Sequence, residues 1–227
     1  MKNNTINIKG LIFDLDGVIV DTAKYHYLAW KRLAQEMGFH FSEEDNEQLK
    51  GVSRTRSLEI LLSIGNIKKS EKEMEELAAR KNKWYVEYIV KLEPKEILPG
   101  VEKFLNELKE LRIKTALGSA SKNAPLIIKR LNLENYFDVI LDGSLVKKPK
   151  PNAEVFLKCA RGLELKPEEC IVFEDAQAGI DAAKNGNMYC VGVGSPENLK
   201  GADYIVSGFL GVTLESLIEH IVRGKGK

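Results

Sequence analysis

The chain has 227 residues, 44% hydrophobic and 30% charged, an ordinary balance for a soluble globular protein of one large or two modest domains. A formal net charge of +1 provides no global attraction for nucleic acid or a membrane surface, and no apolar run approaches membrane-spanning length. Three cysteines, Cys159, Cys170 and Cys190, are sparse, odd in number and without Cys-x-x-Cys spacing, which argues against a disulfide framework or a structural zinc site. They lie in apolar patterns, so buried free thiols in a reducing cytoplasm are expected. Residues 1–5 lack the apolar core of a signal segment, and the Gly-rich basic tail 223–227 reads as a frayed end.

An apolar strand is expected over 8–13. After Thr22 the period changes to helical, with Ala23, Tyr27, Trp30, Ala34 and Met37 on one face and Gly38 as a C-terminal signal. Ser42, followed by Glu43, Glu44 and Asp45, reads as the cap of a second short helix. Lys50 to Arg54 breaks the pattern, Leu58, Leu61 and Leu62 suggest a third helix, and Ser70 caps a long fourth. Residues 23–91 therefore read as a small helical bundle with no strand. Pro94 and Pro99-Gly100 end it. Helices and strands then alternate: helix 101–111, strand 113–117, helix 124–131, strand 139–141, helix 153–160, strand 170–173, helix 178–184, strand 188–193, strand 204–206 and helix 214–222. This alternation predicts an α/β fold with a doubly wound, mainly parallel sheet, interrupted after its first strand by the helical block.

Chemistry-bearing residues follow the expected strands. Asp14 and Asp16 end the first, with Gly17 permitting a sharp exit. Two unpaired carboxylates are too costly to bury, so they face a cation, water or a substrate, at the strand mouth where open α/β sheets place ligands. An EF-hand loop is excluded by counting from Asp14: its fifth, sixth and twelfth positions are Val18, Ile19 and Tyr25. Ser119-Ala120-Ser121-Lys122-Asn123, Lys147-Lys148-Pro149-Lys150 and Glu174-Asp175 follow later strands. Each alone has a plainer reading: an acidic turn, a helix-cap cluster, a solvated basic turn, a polar loop. Together and in this order they are a specific signal.

Asp14-Leu15-Asp16-Gly17-Val18-Ile19-Val20-Asp21-Thr22 after an apolar strand resembles the nucleophile motif of the haloacid dehalogenase superfamily of phosphotransferases. Spacing through the rest of the chain resembles the sugar-phosphate mutases of that superfamily. The resemblance implies a Rossmann-like core over 1–21 and 95–227 and an inserted α-helical cap over 22–94. It implies Asp14 as nucleophile, Asp16 as general acid/base, and Ser119 and Lys150 as partners of the transferring phosphoryl group. It implies a Mg²⁺ ion held by Asp14, the Asp16 carbonyl and Asp175, with Glu174 able to contribute. The family has one Lys-Pro in the basic loop and this chain has two; Lys150 lies 24 residues before Glu174, which matches the family spacing, and Lys148 is the fallback.

The cap resemblance extends to Lys50-Gly51-Val52-Ser53-Arg54, His26, Trp30 and the Arg80-Lys81-Asn82 triplet. It implies that Arg54, Ser121, Lys122 and Asn123 hold a distal phosphate, that Ala120 also binds the substrate, and that Lys81 and the backbone of 50–53 approach the sugar. Trp30 as core and His26 as a solvated side chain are the plainer alternatives. The implied activity is interconversion of β-glucose 1-phosphate and glucose 6-phosphate by a cytoplasmic monomer acting on a small-molecule sugar phosphate, with no nucleic-acid or membrane partner. A Mg²⁺-dependent phosphatase and a non-catalytic phosphosugar-binding module are the rivals.

Overall fold

Strands β1 (Gly10–Phe13), β2 (Lys114–Gly118), β3 (Val139–Leu141), β4 (Cys170–Glu174), β5 (Tyr189–Val193) and β6 (Tyr204–Val206) form one parallel sheet in the order β3-β2-β1-β4-β5-β6. The computed structural model describes residues 6–49 and 52–224. Side chains alternate between the two faces of a strand, and the core divides accordingly. Leu11, Phe13, Leu117, Ile171, Phe173 and Val191 enter one buried cluster, which also takes up α5 (Val101–Glu110), α6 (Ala124–Arg130) and α9 (Leu214–Gly224). Ile12, Ala116, Cys170, Val172 and Cys190 enter the other, under α7 (Glu154–Gly162) and α8 (Gln177–Asn185). Both faces are covered, which is why the strands read as apolar runs rather than as an alternating pattern.

Four helices stand between β1 and α5: α1 (Ala23–Glu36), α2 (Glu43–Glu47), α3 (Arg54–Ile64) and α4 (Glu71–Ile89). Local chemistry fixes their starts. Ser42 with Asp45 and Ser70 with Glu73 form reciprocal capping boxes, and the Ser53 hydroxyl accepts the Arg56 N–H. Trp30, Leu33, Leu58, Leu61, Leu77 and Tyr85 bury the faces of the block against one another. The chain enters and leaves it side by side. Val20 bridges Ile97, and the Leu98 N–H bonds the Ile19 carbonyl at 2.9 Å.

The observed elements match the expected ones in type and order, with ends displaced by one or two residues. Strand pairing starts at Gly10 rather than Ile8, although Lys9 still donates to the Glu169 carbonyl. Three single turns of 3-10 helix, Pro94–Glu96, Glu134–Tyr136 and Pro167–Glu169, are too short to leave a periodic signal. The last helix reaches Gly224; the rest of the basic tail lies outside the described residues. The three cysteines are buried free thiols. Among the described residues no helix is long and apolar enough to cross a membrane.

Candidate active site

The register of the sheet brings the acidic groups together. Phe13 pairs with Phe173 across β1 and β4, and their stacked rings, 4.8 Å apart, anchor both strand ends in the core. Asp14 and Glu174 leave those ends as neighbours, and Asp14 N–H donates to the Phe173 carbonyl at 3.0 Å. Asp175 packs against Gly17, whose φ is +75° and whose lack of a Cβ makes room for that carboxylate. Carboxylate oxygens of Asp14, Glu174 and Asp175 lie within 4.8 Å of one another.

Lys150 answers part of this charge. Its ammonium lies 2.6 Å from Asp14 Oδ1, also bonds Glu174, and sits over the Phe156 ring at 4.9 Å. Burial alone would lower its pKa, but the two carboxylates outweigh burial and raise it. Lys147 and Lys148 are exposed, and their backbone N–H groups bond the Glu154 carboxylate instead. Burial, reinforced by the neighbouring carboxylates of Glu174 and Asp14, pushes Asp175 up to about 8. With Asp16, four carboxylates thus crowd one ammonium. Three of them converge as hard oxygen donors, the set that a Mg²⁺ ion prefers. The residues present fit such an ion.

Asp16 is turned toward the helical block. The Thr22 hydroxyl donates to its Oδ1, and the buried Tyr85 hydroxyl donates to Thr22 Oγ1 at 3.1 Å. Burial first, and the charge of Asp14 second, push the Asp16 carboxyl up to about 7. Beyond β2, the buried Ser119 hydroxyl accepts the Ser121 N–H at 3.0 Å, and Ser121 Oγ accepts the Asn123 N–H at 3.2 Å. Both bonds stay within the loop: Asn123, the residue before α6, makes no side-chain capping bond, so 119–123 is not a helix-cap cluster. The Asn123 side-chain amide donates to Asn82 Oδ1 of α4 at 2.9 Å, a direct bond between the sheet and the helical block.

A cleft of about 1170 Å³ separates the two parts and is lined from both sides. The sheet contributes Asp14, Asp16, Ser119–Asn123, Lys150 and Asp175; the helices contribute His26, Trp30, Val52, Ser53, Arg54 and Lys81. Arg54, half-buried, opens α3. Lys81 is 1% exposed; its Nζ lies 2.7 Å from His26 Nδ1 and 4.4 Å from the Trp30 ring centroid. Burial is the main reason both His26 and Lys81 have pKa values well below their ordinary ones, with Lys81 and Arg54 adding to the effect on His26 and Arg54 to that on Lys81. His26, partly exposed in the cleft wall, packs against Tyr85 and Lys81, while Trp30 is both core and cleft wall. Lys50 and Gly51 lie outside the described residues. Sequence reasoning did not single out Tyr85, Asn46 or Ser57. Ser57 carries a legible signal, a polar residue in the buried face of α3; Tyr85 looks like any aromatic core residue.

Residues 11–193 match the haloacid dehalogenase-like hydrolase family. The chain is 44% identical over 214 residues to a β-phosphoglucomutase of Bacillus subtilis, covering 93% of this chain and 95% of that one. It is 32% identical to a phosphorylated carbohydrates phosphatase of Thermotoga maritima, over 80% of this chain and 82% of the other. Its fold superposes on the crystal structure of a β-phosphoglucomutase from Clostridium difficile with a TM-score of 0.92 and 44% identity, covering 97% of this chain and all (100%) of that one.

Proposed function

The chain belongs to the haloacid dehalogenase-like hydrolase family, and we propose that it interconverts β-glucose 1-phosphate and glucose 6-phosphate through an aspartyl phosphate and a bisphosphate intermediate. The observation that carries this reading is that one cleft offers two anion-binding sets: Lys150 and Ser119 beside Asp14, and Arg54 with Lys122 and Asn123 on facing walls. A sugar bisphosphate needs both. The 44% identity to a mutase spans the helical block as well as the sheet, which supports the same reading.

Asp14 Oδ1 is held by Lys150, leaving Oδ2 to attack phosphorus. The P–O bond to the sugar breaks, and the departing oxygen takes the proton carried by Asp16, whose carboxyl is pushed by burial up to about 7. In the second half a sugar hydroxyl gives its proton to Asp16 and attacks the aspartyl phosphate, restoring Asp14. Ser119 and Lys150 oppose the charge that builds on the phosphoryl oxygens. Asp14, Asp175 and the Asp16 carbonyl, with Glu174 adjacent, would hold a Mg²⁺ ion, which when bound supplies further neutralisation of the phosphoryl charge. The residues 22–94 act as a cap that closes over the sugar, hinged near Thr22 and Pro94. The reaction belongs in the cytoplasm, in keeping with three free thiols, and needs one copy of the chain, because both walls of the cleft belong to it.

Incubation with β-glucose 1-phosphate, Mg²⁺ and catalytic glucose 1,6-bisphosphate tests the proposal: glucose 6-phosphate should accumulate, and its absence refutes it. Chelation with EDTA should reduce this turnover to background, and added Mg²⁺ should restore it. The phosphatase reading, favoured by the 32% identity to the Thermotoga enzyme, uses the same Asp14 with water as acceptor.

Arg54→Ala separates distal binding from chemistry. Binding energy at a remote phosphate helps close and orient the site, so turnover of the sugar phosphate should fall at least about tenfold more than hydrolysis of acetyl phosphate. Equal losses with the two substrates would remove Arg54 from the distal-phosphate role.

A further inference from the structure

Asn46 has no part in the mechanism above, yet it faces the same cleft. It sits in α2, is 7% exposed, and lines the cavity beside Leu49. Its backbone is satisfied, with N–H bonded to the Ser42 carbonyl and the carbonyl accepting from Leu49 N–H. Its carboxamide has no hydrogen-bond partner among the described residues. Among them no fully buried side-chain nitrogen or oxygen lacks a partner, so the carboxamide keeps part of the little surface Asn46 has, and Asn46 lines the cleft. Ser57, 4% exposed and on the same cavity wall, repeats the pattern with its hydroxyl. It lies three residues after Arg54 in α3, so the two side chains share a helix face.

A polar group held in an apolar wall without a partner costs stability, and a ligand that completes its hydrogen bonds recovers it. The chemistry of the group says which ligand. A carboxamide donates and accepts, and so does a hydroxyl. A phosphate dianion only accepts, and would leave Asn46 Oδ1 unpaired; the cleft already meets phosphate with Arg54, Lys122 and Lys150. The sugar ring between two phosphates presents hydroxyls. We propose that Asn46 is a specificity-determining residue that reads a ring hydroxyl of the bound sugar phosphate through its carboxamide, with Ser57 beside it on the same wall. The inference rests on the sugar-phosphate reading of the cleft, whichever acceptor takes the phosphoryl group.

The test compares wild type and Asn46→Ala on β-glucose 1-phosphate and its 2-deoxy, 3-deoxy and 4-deoxy analogues, with acetyl phosphate as a substrate that has no ring. Sites built to hydrogen-bond a hydroxyl reject analogues lacking it, so wild type should lose at least about tenfold in kcat/KM on one analogue. Asn46→Ala should lose about tenfold on the parent, mostly through KM, and treat that analogue and the parent alike within about twofold. Its loss on acetyl phosphate should be smaller by about the same tenfold. Retained discrimination in the variant, equal losses on every substrate, or a wild type indifferent to all three analogues would overturn the proposal. Asn46→Leu, similar in volume and apolar, gives the same readout should the alanine variant fail to fold. If wild type releases free phosphate in place of glucose 6-phosphate, the mutase reading falls, while the same kcat/KM comparison still decides the role of Asn46.

Discussion

Asp14→Asn is expected to reduce turnover by at least about a thousandfold while leaving the fold intact. The amide keeps the size and planarity of the carboxylate but is a far weaker nucleophile, and covalent catalysis is lost rather than slowed. The carboxylate is also one of two that hold Lys150, so its replacement leaves the ammonium with Glu174 alone. That remaining pair is buried and keeps the lysine compensated, which is why unfolding is not expected. Circular dichroism and thermal unfolding should resemble wild type, and no labelled phosphoenzyme should form from glucose 1,6-bisphosphate. Near-normal turnover by Asp14→Asn would require another residue to carry the phosphoryl group.

Lys150→Ala should be the next most damaging change, lowering turnover by about 100-fold or more, the range seen when one preorganised donor to a developing oxyanion is removed. It should also destabilise the protein by about 3–5 kcal/mol, because Asp14 and Glu174 would be left buried without a counter-ion. Lys148→Ala should alter turnover less than about twofold and stability by under about 1 kcal/mol, since an exposed ammonium contributes little. Turnover measured at saturating Mg²⁺ on samples shown to be folded separates the two effects. A larger loss from Lys148→Ala would assign the phosphoryl contact to the wrong lysine.

The two lysines illustrate what a sequence reader can and cannot extract. Both precede a proline in one basic turn, and composition does not choose between them. Spacing to Glu174 points to Lys150, and only the packed loop shows one ammonium buried among carboxylates and the other in water. The sheet was legible because apolar runs of strand length alternate with amphipathic helices, and because acidic or Ser/Lys clusters end those runs. That Asp14 and Glu174 lie side by side follows from β1 and β4 being adjacent, a fact of topology that neither segment encodes alone. The Tyr85–Thr22–Asp16 hydrogen-bond chain was not legible. Its outer members are 69 residues apart in sequence, and Tyr85 falls where a helix needs an apolar face anyway. Asn46 escaped notice because α2 is short and acidic throughout, so no stripe exists for a polar residue to interrupt.

The central claim is that a sugar hydroxyl, not water, receives the phosphoryl group from Asp14. Asp14, Lys150 and the acidic cluster would serve both outcomes alike and do not distinguish them. Water is smaller than a sugar and far more concentrated, so its exclusion depends on the helical block closing over the right substrate. Arg54 on one wall and Ser121, Lys122 and Asn123 on the other give a sugar phosphate the means to bridge the two, and the Asn82–Asn123 bond shows that the walls already meet. The decisive measurement is the ratio of glucose 6-phosphate formed to inorganic phosphate released from β-glucose 1-phosphate with Mg²⁺ and catalytic glucose 1,6-bisphosphate. Transfer should exceed hydrolysis by at least about 100-fold, equivalent to about 2.7 kcal/mol of barrier difference. A predominance of free phosphate would contradict the account and make the protein a sugar-phosphate phosphatase.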